Sequence, residues 1–241
     1  MIDSITFVIP SYSTATTLPE LIDRIGAVAP MFALRHSVVV VDDACPDGSG
    51  SLVADREHVR VYRFDANQGQ RVAVLAGLGL VDSTVACVMD ADLQDDPQTV
   101  HLLVAALDRN AVDVVCAGRR GDHQSIRRRV EASMFRRARW LASRGRIPSD
   151  AGLFHVATVE SVRAMIEVVR PGDDPLVAYA RSGARITSMP VRRYRRADGR
   201  SSYTTKARVK MAAASIRGLS TSAGFTEPLP RPIRVRPRER S

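Results

Sequence analysis

The sequence predicts an α/β fold, with a mostly parallel sheet flanked by helices. Two observations carry that expectation. Short runs of β-branched and aliphatic residues recur through the first half of the chain, with stretches of helical spacing between them. Several of these runs also end in polar or proline residues, as strands of one sheet do where they open onto a common edge.

Residues 5–10 form the first expected strand, apolar and stopped by Pro10. Residues 18–28 carry apolar side chains at Leu18, Leu21, Ile22, Ile25 and Val28, one face of a helix. Residues 38–41 are a second buried strand, followed by Asp42-Asp43 and the turn Pro46-Asp47-Gly48. Residues 59–64 are a third strand. Residues 70–80 are small and apolar, a buried helix. Residues 85–89 are a fourth strand ending at Asp90, residues 99–107 a helix, and residues 113–117 a fifth strand. Beyond Arg119 the pattern changes. Residues 126–141 place Ile126, Val130, Met134, Ala138 and Leu141 on one face and six arginines on the others, a basic amphipathic helix. Residues 149–160 read as a loop entering a strand, 186–191 as a strand and 201–216 as a helix. Residues 219–241 are rich in Pro, Arg and Ser, so the expectation is one folded domain over 1–218 and a disordered tail over 219–241.

In parallel sheets ligands bind beyond the carboxyl ends of the strands. Here those ends carry Pro10-Ser11-Tyr12, Asp42-Asp43, Asp90-Ala91-Asp92 and Gly118-Arg119. Asp90 and Asp92 stand two residues apart directly after a buried strand, where both carboxylates can reach one hard cation, with Gln94 adding a neutral oxygen. Mg2+ and Mn2+ suit such ligands and also bind phosphates. The plainer reading of the same loop is a helix cap, with Asp95 or Asp96 as the N-cap before Pro97. The two readings are compatible.

Charge divides the chain. Residues 1–118 hold 7 Arg and Lys against 16 Asp and Glu, whereas residues 119–146 hold 10 against 2 and residues 192–241 hold 14 against 3. An acidic half followed by basic segments fits two tasks, holding a cation and meeting an anionic partner. No apolar run approaches the roughly 20 residues of a membrane span, and no secretory leader pattern opens the chain. Cys45, Cys87 and Cys116 show no zinc spacing and no disulfide framework. The expected location is cytoplasmic, with peripheral membrane contact through the basic helix and tail. The five histidines show no ligand spacing and read as structural or surface residues.

With these motifs in order, the chain resembles a family 2 glycosyltransferase of the GT-A fold, a Rossmann-like architecture. More narrowly it resembles the dolichyl- or polyprenyl-phosphate mannose/glucose synthase branch. The resemblance rests on Val8-Ile9-Pro10-Ser11-Tyr12, Val40-Val41-Asp42-Asp43, Asn67-Gln68-Gly69-Gln70-Arg71 and Met89-Asp90-Ala91-Asp92-Leu93-Gln94-Asp95. It extends to Asp150-Ala151-Gly152-Leu153-Phe154 and to Tyr194, Arg196, Gly199, Ser201, Ser202 and Tyr203, with His155 where the branch carries Arg. It implies an inverting transfer from a UDP- or GDP-linked sugar. Pro10, Tyr12, Asp42, Asp43, Arg71, Asp90 and Ala91 would form the nucleotide site. Asp90, Asp92 and Gln94 would hold the metal on the diphosphate.

A polyprenyl phosphate acceptor already carries negative charge, so it needs arginines rather than a base. Arg119, then Arg127 or Arg128, are the candidates. A small neutral acceptor would need a general base, and Asp150 is the candidate. The rival readings are another kind of nucleotide-binding protein and a polyanion- or membrane-binding module. The first lacks a dinucleotide fingerprint and a Gly-Lys-Ser/Thr phosphate loop. The acidic strand ends repel nucleic acid unless they hold a metal, so no nucleic-acid partner is expected. Oligomeric state stays open, a homodimer included.

Overall fold

Alternating side chains give the central strands two buried faces, and the structure packs helices against both. It is a computed structural model that describes residues 2–32, 35–120, 140, 143, 145–170, 172–192 and 230–235. Eight strands form one sheet: β1 (Ser4–Ser11), β2 (Arg35–Asp42), β3 (Val59–Arg63), β4 (Val85–Val88), β5 (Val114–Arg120), β6 (Ala151–Thr158), β7 (Ile186–Arg192) and β8 (Ile233–Arg234), in the order β7-β5-β6-β4-β1-β2-β3-β8. Among the described residues five α-helices accompany them: α1 (Leu18–Val28), α2 (Gln70–Leu78), α3 (Val100–Arg109), α4 (Val159–Val168) and α5 (Pro175–Ser182).

The period of two along each strand sorts residues onto opposite faces. Ile5, Phe7 and Ile9 of β1, Val38 and Val40 of β2, and Val85 and Cys87 of β4 join one core with Leu21 and Ile25 of α1 and Leu103 and Leu107 of α3. Val8, Ala86, Val88, Val114 and Cys116 face the other way, onto Val74 and Leu78 of α2, Val162 and Met165 of α4, and Leu176 to Ala180 of α5. Three layers result, helices on both faces of one sheet. Gly77 lets α2 lie close to the sheet, since a Cβ there would stand 2.5 Å from a Val8 methyl.

The first five strands fall where the sequence places them. Leu18–Val28 matches its expected bounds, and α2 and α3 differ from theirs only at the ends. The pairing is more mixed than expected. β1–β2, β1–β4, β2–β3 and β5–β7 are parallel, whereas β4–β6, β5–β6 and β3–β8 are antiparallel. Antiparallel β6 between β4 and β5 keeps those two strands pointing the same way. Their carboxyl ends therefore open on one edge, where the residue before β6, Asp150, also emerges.

Two further helices carry local end signals: Thr158 caps α4 at Ser161 N, and Asp174-Pro175 opens α5, which Gly183 closes at φ 89°. Within the segment expected as a tail, residues 233–234 pair with β3 as β8. The expected helices over 126–141 and 201–216 lie outside the described residues, apart from Trp140. Among the described residues no helix is long and apolar enough to cross a membrane.

Candidate functional site

Strand order reverses at β1, whose neighbours are β2 on one side and β4 on the other, so a crevice opens where their carboxyl ends diverge. Beyond β4, Met89 N donates to Val8 O at 3.1 Å and brings Asp90 to the lip of this crevice. Asp90 is half-buried, and its Oδ1 accepts from Gln70 Nε2 at 2.5 Å, tying it to the start of α2. Ala91 is buried. Asp92 Oδ1 accepts from Gln94 N at 3.1 Å, and buried Leu93 adopts φ 58°, so the loop turns tightly around the two carboxylates. The cap is Asp96, whose Oδ1 accepts from Gln98 N at 2.9 Å ahead of α3. Capping and the carboxylate pair thus fall on different residues of one loop.

Asp42 and Asp43 sit deeper. Asp42 is 1% exposed, with Oδ1 accepting from Cys45 N at 2.7 Å and Oδ2 from Arg63 Nη1 at 3.1 Å. Asp43 is 2% exposed and accepts from Gln68 N at 2.6 Å and Gly69 N at 2.8 Å. Both carboxylates are engaged with protein, so they shape the loops that wall the crevice. Pro10 is buried at the end of β1, and Tyr12 stands 45% exposed beside it. Burial would raise the Asp47 carboxyl, but hydrogen bonds from Ser49 and from Ala15 N hold it below the usual carboxylate range and fix the turn after β2. Arg71, in the first turn of α2, lies 3.7 Å from Asp174 at the N-cap of α5.

On the far side of the edge, Asp150 Oδ1 accepts from Ser188 Oγ of β7 at 2.6 Å. Gly118 of β5 makes room for it, because a Cβ there would overlap the Asp150 carboxylate. Arg119 follows near the end of β5, and Arg127 and Arg128 lie outside the described residues. Arg63 and Ser188 reach this edge without having been singled out in the sequence; their partners Asp42, Cys45 and Asp150 are 18 to 38 positions away in the chain, so no local spacing marks them.

His155, on β6 beneath this edge, is fully buried. Its Nδ1 lies 2.6 Å from Leu153 O, and its ring meets Tyr179 of α5 edge-on at 5.6 Å. His155 Nε2 and the Tyr179 hydroxyl have no hydrogen-bond partner among the described residues. Burial pushes the imidazole from 6.5 down to about 4, so folding favours the neutral ring. This contribution is complete above pH 6.5 and is lost as pH falls towards about 4, at a total of about 3 kcal/mol. Urea unfolding of wild type and His155→Leu across pH 7 to 4 should show that slope in wild type only.

Among the described residues no three His, Cys, Asp or Glu side chains converge on one point. The donors present are the hard oxygens of Asp90, Asp92 and Gln94. That set fits a Mg2+ or Mn2+ ion whose remaining ligands come from substrate phosphates and water.

Comparison with known proteins decides the family. Residues 6–166 match the family model described as glycosyl transferase family 2. The chain belongs to that family. The family 2 chain is 30% identical over 141 residues to the undecaprenyl-phosphate 4-deoxy-4-formamido-L-arabinose transferase of Klebsiella pneumoniae, a match spanning 56% of this chain and 43% of that protein. The chain thus spans less than half the length of this curated relative. Two solved structures share the fold. Mannosyl-3-phosphoglycerate synthase from Rubrobacter xylanophilus has a TM-score of 0.63 at 20% identity, over 90% of this chain and 72% of that one. Glucosyl-3-phosphoglycerate synthase from Mycobacterium tuberculosis, in complex with Mn2+, UDP and phosphoglyceric acid, has a TM-score of 0.64 at 16% identity, over 90% and 77%. The fold of this family 2 chain is GT-A.

Proposed function

We propose that this chain is a metal-dependent, inverting glycosyltransferase that moves a sugar from a UDP- or GDP-linked donor to a polyprenyl phosphate. The observation that carries the donor half is the Asp90-Ala91-Asp92 loop at the crevice between β1 and β4, on a family 2 chain. Tyr12 and Pro10 line the nucleoside side, with the loops pinned by Asp42 and Asp43 as its wall and Arg71 at the start of α2. Asp90, Asp92 and Gln94 would hold the divalent metal, which supplies positive charge against the leaving diphosphate. Gln70 keeps Asp90 turned toward the crevice. Direct attack by the acceptor oxygen needs no enzyme nucleophile and inverts the anomeric centre.

The acceptor half rests on the curated relative's name and on the arginines. A phosphate oxygen is already anionic, so Arg119, with Arg127 and Arg128, would hold and orient it without deprotonating it. One observation favours a second reading. Ser188 and Gly118 seat Asp150 at the same edge, where a carboxylate can act as general base toward the hydroxyl of a small acceptor.

The two readings separate in one assay. The protein is incubated with UDP- and GDP-sugars, Mn2+ and either undecaprenyl phosphate in detergent or a panel of hydroxyl acceptors. The expected result is a lipid-linked sugar, retained by Asp150→Asn within about tenfold, since base catalysis is worth more than that when it is used. Turnover with hydroxyl acceptors alone, abolished in Asp150→Asn, would replace the polyprenyl phosphate reading with the small-acceptor one.

A further inference from the structure

One transverse row runs across four strands at the site edge. Ser11 of β1 pairs with Asp42 of β2, Asp42 with Arg63 of β3, and Arg63 with Ile233 of β8. The row continues the wall of the crevice into the C-terminal strand. Arg63 is its hinge: Nη1 donates to Asp42 Oδ2 at 3.1 Å, and Nη2 donates to Cys45 O at 3.2 Å. Cys45 in turn lies against Ser11, with Sγ donating to Ser11 O at 3.2 Å. β8 lies along β3, and Val235 N donates to Val61 O at 2.8 Å.

We infer that β8 is a clasp on the nucleotide pocket, with Arg63 as the positioning residue that transmits its docking to Asp42 and Cys45. Left uncovered, β3 would be the edge strand, and its last residue would hold the Asp42 carboxylate and the Cys45 carbonyl with no strand on its outer side. Asp42 is buried and anionic, so it depends on Arg63 as its cationic partner. β8 itself is only two residues long and Ile233 is 64% exposed, with Val235 just beyond it as the one apolar side chain of residues 233–235 that packs on the core. Such a strand opens at low cost, and whatever it stabilises opens with it. By linkage, a nucleotide that needs the closed pocket also tightens β8. The identity of that ligand rests on the reading under Proposed function; the clasp itself does not.

The test uses the full chain with Val235→Pro, which deletes the N–H that Val61 O accepts, and independently Arg63→Met. Cys87 and Cys116 are fully buried within the sheet, so a thiol reagent with peptide mapping reports on Cys45, which is 2% exposed. Both variants should label Cys45 at least about tenfold faster than wild type while retaining the wild-type circular dichroism spectrum. Both should also bind the preferred nucleoside diphosphate about tenfold more weakly. Wild-type labelling rates in both variants would overturn the clasp. If wild type binds neither UDP nor GDP but the labelling contrast appears, the functional reading fails and the clasp stands.

Discussion

Replacing Asp92 with alanine should lower sugar transfer by about 10²–10³-fold, the usual cost of losing a group aimed at transition-state charge. The side chain stands on a tight loop past β4, partly open to the crevice, and accepts from Gln94 N. Its loss should cost only about 1 kcal/mol of stability, the worth of a modest hydrogen bond. The effect should therefore appear in catalysis and in metal-supported nucleotide binding, with the unfolding midpoint nearly unchanged. Steady-state kinetics at varied Mn2+ would check this, alongside thermal unfolding. A variant that stays active and metal-responsive would remove Asp92 from the site.

Asp43→Ala should behave in the opposite way, failing first as a folded protein. The carboxylate is buried and receives Gln68 N and Gly69 N, while Asn67 Nδ2 donates to the Asp43 carbonyl. Hydrogen bonds to a buried charge are worth about 1.5–3 kcal/mol each, and truncation strands two backbone donors as well. The expected loss is about 3 kcal/mol or more in urea unfolding. The loop from Asn67 to Arg71 would also lose its anchor, and with it the Gln70 contact that turns Asp90. Nucleotide binding should weaken even at temperatures where the variant stays folded. Asp43→Asn keeps one acceptor and should fall between the two. An unchanged midpoint in Asp43→Ala would contradict the anchoring role.

Most of the scaffold was legible because its signals are local. The alternation of Ile5, Phe7 and Ile9 with Thr6 and Val8 sets the faces of β1, and the spacing of Leu18, Leu21, Ile22 and Ile25 sets α1. The pair Asp90 and Asp92 was visible because it follows a buried run directly. Strand direction was not legible: β6 looks the same to a sequence pattern whether it pairs parallel or antiparallel, yet its antiparallel path is what delivers Asp150 to the edge. Long-range partners were equally hidden. Nothing near Asp42 announces Arg63, and nothing near Asp150 announces Ser188. β8 was missed because a Pro- and Arg-rich segment has the composition of a tail, and only the free edge of β3 gives it a place to pair.

The central claim is that this edge binds a nucleoside diphosphate through a divalent metal. Calorimetry of the full chain with UDP and with GDP, each with and without Mn2+ or Mg2+, addresses it directly. The account predicts binding of one nucleotide that requires the metal and disappears in Asp92→Ala. Folded wild-type protein that binds neither nucleotide in the presence of either metal would contradict it.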